Sequence, residues 1–348
     1  MKKGVLLVNL GTPNSCSVKD VRNYLKEFLM DPRVMDINPL LRFILVKGII
    51  APFRSRKSQV LYSKIWNHKT GSPLRYYSMV QQHLLQEALG EEYQVELAMR
   101  YQGPSIEKAL NNLKTANVGH IQVIPLFPQY ASAATGSVFE KVMHYLAKWP
   151  TIPNLSFVNS FHDNEWLIEA FVQNGAAHQP GTYDHVLFSF HGLPQRQLIK
   201  SDDNKQHCGS AEGCCKTYNA SNKNCYAAQC YHTAALIAQR LDLPSAKYTV
   251  SFQSRLGNSP WIQPYTAATL LALAKAGKKR VLVFCPAFVS DCLETMYEIA
   301  IEYDELFKTA GGECVQLVEG LNASPLFINA LKEMVLAQKI PFFDALMA

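Results

Sequence analysis

Short apolar runs alternate with longer amphipathic stretches along the whole chain. Each run is followed by a loop that carries glycine or proline. Continuous apolar runs of this length are typical of strands that are buried on both faces of a parallel sheet. We predict strands at residues 5–10, 94–99, 121–127, 155–160, 186–190, 248–252, 280–285 and 315–318. Because the longer stretches between them predict crossover helices, the chain is expected to have a doubly wound α/β fold.

The two halves of this pattern resemble each other. Residues 5–13 (VLLVNLGTP) are similar to residues 186–194 (VLFSFHGLP), and IPLF at 124–127 recurs as CPAF at 285–288. We therefore predict two similar Rossmann-like lobes, each a four-stranded parallel sheet flanked by helices, over residues 1–165 and 166–325. A C-terminal helix and tail should follow at 326–348. Ligands of such folds bind outside the carboxyl ends of the strands, so the cleft between the lobes is the expected site.

Composition and charge narrow the class of protein. The 348 residues carry 34 basic and 28 acidic side chains, a net charge of +6. This excess is too small to indicate nucleic-acid binding, but it suits an anionic small molecule or loose contact with an acidic membrane surface. Neither a signal-peptide pattern nor an apolar run of about 18 residues is visible. The expected location is therefore the cytoplasm.

One apolar segment allows two interpretations. Residues 39–52 (PLLRFILVKGIIAP) carry only Arg42 and Lys47 as charged side chains. The segment could be a core helix. Alternatively, residues 37–55 could form an exposed hydrophobic lip over an apolar substrate or against a membrane.

A histidine and an acidic row are the candidate reactive groups. His191 ends a predicted core strand at the expected cleft, where a neutral imidazole can accept a proton or bind a metal ion. Glu294, Glu298 and Glu302 follow another strand at intervals of four. On an α-helix this spacing places them in one row. The row could be a solvated acidic face, or a series of oxygen ligands for a divalent metal ion such as ferrous iron.

Seven motifs in order resemble the ferrochelatase family. They include NLGTP at 9–13, GSPL at 71–74, MRY at 99–101, PLFPQY at 125–130, FHGLP at 190–194, SFQSRLG at 251–257 and the block from Cys285 to Thr295. The resemblance implies a chelatase-like pair of lobes and insertion of Fe(II) into protoporphyrin IX, the last step of haem b synthesis. It identifies His191 and Glu294 as the catalytic metal-site pair, with Glu298 and Glu302 as the acidic line behind them.

The resemblance also implies the residues that hold the porphyrin. Arg54, Lys57, Tyr62 and Ser72 match the group that binds the propionates, and Arg100 with Tyr101 matches a pair on the opposite wall. The segment from residue 39 matches the family's hydrophobic lip, which favours a lip and possible peripheral membrane contact over a core helix.

Five of the nine cysteines fall between residues 208 and 230. Thiols this dense in a reducing compartment indicate a four-cysteine iron–sulfur or zinc site rather than disulfides. The remaining alternative is that the thiols bind no metal. The segment resembles one that carries a [2Fe–2S] cluster in some bacterial ferrochelatases. The expected ligands are Cys208, Cys214, Cys215 and Cys225. Cys230, near the start of a helix expected from residue 231, could replace one of the adjacent pair.

Three alternatives stay open at this point. A chelatase of the same superfamily could insert cobalt or nickel into a different tetrapyrrole, or the chain could prefer coproporphyrin III. A non-catalytic haem- or metal-binding protein that senses iron or redox state would bind these ligands without turnover. The sequence predicts no nucleic-acid partner and does not indicate an oligomeric state.

Overall fold

A computed structural model describes residues 2–202, 208–209, 213–255, 257 and 259–337 of the chain. In the first lobe, strands β1 (Lys3–Gly11), β2 (Tyr93–Tyr101), β3 (His120–Pro125) and β4 (Asn154–Phe157) form a parallel sheet in the order β2-β1-β3-β4. In the second, β5 (His185–His191), β6 (Tyr248–Gln253), β7 (Arg280–Phe284) and β8 (Cys314–Leu317) form a parallel sheet in the order β6-β5-β7-β8. The predicted strands and fold class are confirmed, and the two sheets share one topology.

The connecting helices include α-helices, π-helices and short 3₁₀-helices at Pro180–Thr182, Ala220–Asn222 and Ser245–Lys247. The π-helices are π1 (Ile44–Ile50), π2 (Ser132–Gly136) and π3 (Glu294–Tyr303). The α-helices are α1 (Val18–Met30), α2 (Pro39–Phe43), α3 (Ala51–Ile65), α4 (Pro73–Leu89), α5 (Ile106–Thr115), α6 (Ser137–Leu146), α7 (Glu165–Ala177), α8 (Gln195–Lys200), α9 (Tyr226–Arg240), α10 (Thr266–Lys275), α11 (Asp304–Thr309) and α12 (Pro325–Leu336). Ser17, Ser105 and Asn164 cap helices α1, α5 and α7 by accepting hydrogen bonds from backbone N–H groups of the first turn.

Each sheet is buried on both faces, as its apolar runs predict. Successive strand residues point to opposite faces. In β1, Leu6 and Val8 pack with helices α5 and α6, whereas Val5 and Leu7 face a second core. That second core also receives one face of the other sheet, through residues such as Phe188. The lobes are therefore joined by one continuous apolar core.

The C-terminal helix α12 closes this shared core. It packs against α7 of the second lobe and α4 of the first. Phe327 and Leu331 are fully buried there. The side-chain amide of Gln122, on β3, donates to the carbonyl oxygen of Met334 at 2.8 Å. Residues 338–348, the predicted tail, lie outside the described part of the chain.

Gly11 and Gly192, which occupy equivalent places in the repeated motif, lie where the end of one strand contacts the end of the adjacent strand. A Cβ on Gly11 would lie 2.0 Å from the carbonyl oxygen of Tyr101, and a Cβ on Gly192 would lie 2.7 Å from that of Gln253. Gly11 also has φ +110°, a conformation that glycine adopts without strain. Both sheets therefore require glycine at the same place, which explains the motif that repeats at 11–13 and 192–194.

The segment at 39–52 is an exposed lip, so its interpretation as a core helix is wrong. Leu40 is 69% exposed and Phe53 is 77% exposed. Only Arg42, Val46 and Ala51 are buried within α2, π1 and the start of α3. The described helices include none that is long and apolar enough to span a membrane.

Candidate active site

His191 is half-buried at the last position of β5, where one hydrogen bond holds its main chain and another holds its ring. The hydroxyl of Tyr226 donates to its carbonyl oxygen at 2.9 Å. The ring Nδ1 lies 2.7 Å from the carbonyl oxygen of Gly192. Because a carbonyl only accepts, Nδ1 carries the proton, and the neutral ring keeps its lone pair on Nε2. The ring can therefore accept a proton or bind a cation through Nε2.

Gln253 links this histidine to the acidic helix. It is the register partner of His191 at the end of β6. Its buried amide accepts from the Ser189 hydroxyl at 2.6 Å and donates to the main-chain oxygen of Glu294 at 2.9 Å. The histidine and the first glutamate therefore stand at the same edge of the second sheet. Gln253 had no predicted role, although its motif was recognisable in the sequence.

Glu294 begins helix π3 beside a buried aromatic cluster. Val21, Tyr24, Tyr62, Ile65 and Tyr101 form this cluster, which packs against Leu293, Met296 and Tyr297. Burial and the negative charge of Glu294 raise the pKa of Tyr62 well above its ordinary value. Burial also raises the pKa of Cys292, whose thiol hydrogen-bonds to the Glu294 carboxylate. The groups around Glu294 therefore stay neutral, and several can donate hydrogen bonds.

Glu298, by contrast, has both carboxylate oxygens occupied. One oxygen accepts from the Ser254 backbone N–H at 2.9 Å and from the Tyr303 hydroxyl at 2.7 Å. The other accepts from the Gln253 amide at 3.1 Å and from the Ser254 hydroxyl at 2.5 Å. A cation at Glu298 would have to displace some of these donors. Glu298 therefore acts on the site mainly through its charge and through its hydrogen bonds to Gln253 and Ser254 at the end of β6.

The acidic row does not have the α-helical winding that its spacing predicts. Residues Glu294–Tyr303 form a π-helix, with i→i+5 hydrogen bonds. Four residues make slightly more than one turn of an α-helix but slightly less than one turn of a π-helix. The row of glutamates therefore slants around the helix axis in the direction opposite to that expected for an α-helix. The anchors on Glu294 and Glu298 from the end of β6 are tertiary contacts, and such contacts can override the local helical preference.

Glu302 lies at the exposed end of the row. Desolvation and the neighbouring Glu298 carboxylate raise the pKa of Glu302, while Lys57 and Lys64 act in the opposite direction. Both lysines lie on α3, in the first lobe. The outer end of the row is therefore close to the basic side of α3, across the cleft.

The proposed porphyrin-binding residues occupy different environments. Arg54 and Lys57 are exposed on α3. Tyr62, further along the same helix, is buried, and its ring meets the Tyr24 ring edge-to-face with centroids 6.4 Å apart. Ser72 is buried at the start of α4. The two cations are therefore exposed on α3, whereas Tyr62 is buried and close enough to Glu294 for that carboxylate to raise its pKa.

Arg100 and Tyr101 belong to a buried polar network around Asp31. The guanidinium of Arg100 forms an ion pair with Asp31. The same carboxylate oxygen accepts from the Tyr101 hydroxyl at 2.9 Å and from the Ser137 hydroxyl at 2.5 Å. Burial raises the pKa of Tyr101 far above its ordinary value. No sequence pattern singles out Asp31, because its partners come from β2 and α6.

Four of the five clustered cysteines line one pocket. Cys208, Cys214, Cys215 and Cys225 share it with Leu198, Asn222 and Lys223. The Cys215 sulfur lies 3.5 Å from the sulfurs of both Cys214 and Cys225. A hydrogen bond with Cys225 raises the pKa of Cys215, and burial raises the pKa of Cys208 to about 11. Among the described residues, none of these four cysteines forms a disulfide bond.

Cys230 is separate from that pocket. Helix α9 begins at Tyr226, earlier than expected, so Cys230 lies within the helix and not at its start. Its side chain is fully buried and hydrogen-bonds to that of Tyr226. Among the five cysteines, geometry therefore groups the four that the sequence favours.

Comparison with known proteins gives consistent results. The family model described as Ferrochelatase matches residues 2–339. A protein named "Ferrochelatase" from Coxiella burnetii (strain Dugway 5J108-111) is 43% identical over 337 residues, 96% of this chain and 93% of the relative. One of the same name from Legionella pneumophila (strain Lens) is 43% identical over 337 residues, 96% of this chain and 99% of the relative.

A solved structure shares the fold. It is titled "SirB from Bacillus subtilis with Fe3+" and superposes with a TM-score of 0.51 at 14% identity, covering 96% of this chain and 94% of that chain. The similarity supports the two-lobed architecture alone.

Removing the Asp31 carboxylate should destabilise the protein strongly. In Asp31→Ala the buried Arg100 guanidinium loses its counter-charge, and breaking such a pair typically costs about 3–5 kcal/mol. The control is Glu140→Ala, which breaks the exposed Arg33–Glu140 pair and should change the free energy of unfolding by about 1 kcal/mol or less. Urea unfolding measures both. Equal stabilities for the two variants would contradict a structural role for the network.

Proposed function

We propose that this chain, which belongs to the ferrochelatase family, inserts ferrous iron into protoporphyrin IX to give haem b. Enzymes of this family are lyases that act as porphyrin metal chelatases. The observation that carries the proposal is the paired placement of His191 and Glu294 at one sheet edge, with the imidazole lone pair left on Nε2. A cytoplasmic location remains a prediction from the sequence.

The chemistry requires a base and a metal-binding group at the centre of the porphyrin. A free porphyrin carries two pyrrole N–H protons in a rigid ring, and both must leave as the metal enters. We assign the proton-accepting role to His191, because Nε2 is unprotonated in the neutral ring and the backbone fixes the ring through Nδ1. Glu294 is assigned to the iron, since it heads a row of carboxylates whose oxygens suit Fe(II).

The other glutamates support the delivery of iron in different ways. Glu298 acts through its charge, because four hydrogen bonds already occupy its oxygens. Glu302 is exposed, so its carboxylate suits transient binding of a cation from solvent. The proposed path therefore runs from Glu302 past Glu298 to Glu294.

The porphyrin would bind between α3 and the second lobe. Arg54 and Lys57 are exposed cations at the mouth of this region and suit the two propionates. Tyr62 and Ser72 would line the inner part of the site. Arg100 and Tyr101, held by Asp31, would form the opposite wall as a rigid surface and not as mobile ligands.

The central assay follows the loss of protoporphyrin IX fluorescence with Fe(II) in the absence of oxygen. His191→Ala and Glu294→Gln should each abolish chelation, a loss of about 100-fold or more, because each removes one required partner of the metal exchange. The matched controls are His83→Ala and Glu87→Gln, which alter an exposed histidine–glutamate pair on α4 and should retain activity. Near-normal turnover in either active-site variant would overturn the assignment.

The same assay separates the substrate alternatives. Coproporphyrin III and Co(II), tested in parallel, should be used less efficiently than protoporphyrin IX and Fe(II). A preference for either one would replace the proposed substrate while leaving the site intact. Tight binding of porphyrin without turnover would indicate a non-catalytic haem- or metal-binding protein instead.

We also propose that the cysteine pocket holds a [2Fe–2S] cluster, which supplies one-electron redox chemistry when bound. Cys214 and Cys225 each approach Cys215 to 3.5 Å, and Cys208 lines the same pocket. Four cysteine thiolates are the ligand set that a [2Fe–2S] cluster uses, so these four residues would hold it.

Visible absorbance of the anaerobically purified protein tests the cluster. The wild type should be coloured and contain two irons and two acid-labile sulfides per chain. Cys214→Ser, Cys215→Ser, Cys225→Ser and Cys208→Ser should each lose most of the colour, whereas Cys230→Ser should keep it because its thiol lies outside the pocket. A colourless protein that contains one zinc per chain would identify a zinc site instead.

We propose that the exposed lip contacts a membrane surface. It presents Leu40, Phe43 and Phe53 to solvent, and Lys47 and Arg54 lie among them. Apolar side chains beside cations suit the interface of a bilayer that contains anionic lipids.

Flotation with vesicles of phosphatidylcholine and phosphatidylglycerol tests this contact. Replacing both Leu40 and Phe53 by serine should weaken binding by about tenfold or more, since each buried apolar side chain contributes about 1.5–3 kcal/mol. The control is Met143→Ser, which replaces a 50% exposed apolar residue on α6, outside the lip. Unchanged flotation of the lip variant would rule out the contact.

A further inference from the structure

Two histidines and an aspartate meet at a place that the proposed chemistry does not use. His162 and Asp163 lie in the loop before α7, and His232 lies on α9. The His162 Nε2 and His232 Nδ1 atoms are 3.2 Å apart. One ligand atom from each of these three residues lies within 4.8 Å of the other two.

One ring nitrogen of His162 is buried without the hydrogen-bond partner that a buried polar atom normally has. The residue is 2% exposed, and its Nδ1 is buried without a hydrogen-bond partner. The nearest carboxylate oxygen, Oδ1 of Asp163, is 3.9 Å away. Burial lowers the pKa of His162 to about 4, so the ring is neutral and has a lone pair at neutral pH.

The surrounding structure holds both rings in place. The hydroxyl of Thr233 donates to the main-chain oxygen of His162 at 2.8 Å, which ties α9 to the loop. Gln129 in turn donates to that hydroxyl at 3.1 Å. The Tyr218 ring stacks on His232 with centroids 4.7 Å apart and planes at 8°. Such supports reduce the rearrangement needed on ligand binding.

We propose that His162, His232 and Asp163 form a binding site for a divalent first-row transition metal ion. Two imidazole nitrogens at about 2.0–2.1 Å from a tetrahedral ion would be about 3.3 Å apart, close to the separation found here. The exposed Asp163 can rotate to bind the ion or to accept the Nδ1 proton of His162. This donor set suits zinc, cobalt, nickel or ferrous ions, and it leaves a position open for a further ligand.

The site would connect two parts of the chain. Tyr218 lies within the cysteine-rich segment, between Cys215 and Cys225, whereas His162 lies in the loop between β4 and α7, at the end of the first lobe. An ion held by the histidines would therefore fix the face on which this segment packs. This inference does not depend on the proposed chelatase activity.

Equilibrium dialysis against zinc chloride, with metal analysis of the dialysed protein, tests the site. His162→Ala and His232→Ala should each bind one zinc fewer per chain than the wild type. Asp163→Asn should bind that zinc about tenfold more weakly. His83→Ala, which removes an exposed histidine on α4, should match the wild type.

The test uses the difference in zinc content per chain between the wild type and each variant. Zinc that binds to other groups of the protein, such as the cysteines, is the same in both and cancels. Because His162 is buried, circular dichroism should confirm that its variant folds. His232 is partly exposed, so His232→Ala provides a second test if the first variant is unstable. Equal zinc content in the wild type, His232→Ala and Asp163→Asn would overturn the proposal, and the two histidines would then form only a hydrogen-bonded pair.

Discussion

The burial of one apolar core against both sheets is the constraint on which the rest of this structure depends. Each sheet places one face on its own helices and the other on the shared core, where Leu7 of β1 and Phe188 of β5 belong to the same cluster. Helix α12 packs on both lobes and closes that core. The lobes therefore have a defined relation, and the strand ends that carry the candidate site meet a fixed opposite wall.

Buried amide side chains make directional hydrogen bonds, which fix the relative positions of elements that apolar contact alone would leave less defined. The amide of Gln81, on α4, donates to the Ser290 hydroxyl at 3.0 Å and to the main-chain oxygen of Asn322 at 2.8 Å. Within the second lobe, the side-chain amide of Gln253, on β6, hydrogen-bonds to both β5 and π3. A buried amide without partners is unfavourable, so these contacts are strongly specified. They position the loop that precedes Glu294.

The predictable parts of the protein are those set by local pattern. The strands, their repeat and the position of His191 at the end of β5 follow from apolar runs and from glycines that a close backbone approach requires. The winding of π3 does not, because it depends on anchors from the end of β6. Asp31 is likewise invisible in the sequence, since its role exists only when β2 and α6 come together. The exposed state of the lip could not be decided from its composition, which suits a core helix equally well.

Equal spacing of the three glutamates does not give them equal chemistry. Glu294 is surrounded by neutral donors, Glu298 is saturated by four hydrogen bonds, and Glu302 is exposed near the cations of α3. A cation that moves inward would be attracted by all three charges but would find accessible oxygen atoms only at the two ends. The middle carboxylate would lower the energy of the passage without binding the ion, because binding would release the end of β6. On the proposed path, the hydrogen bonds that hold the helix to the sheet would therefore keep a cation from binding at Glu298.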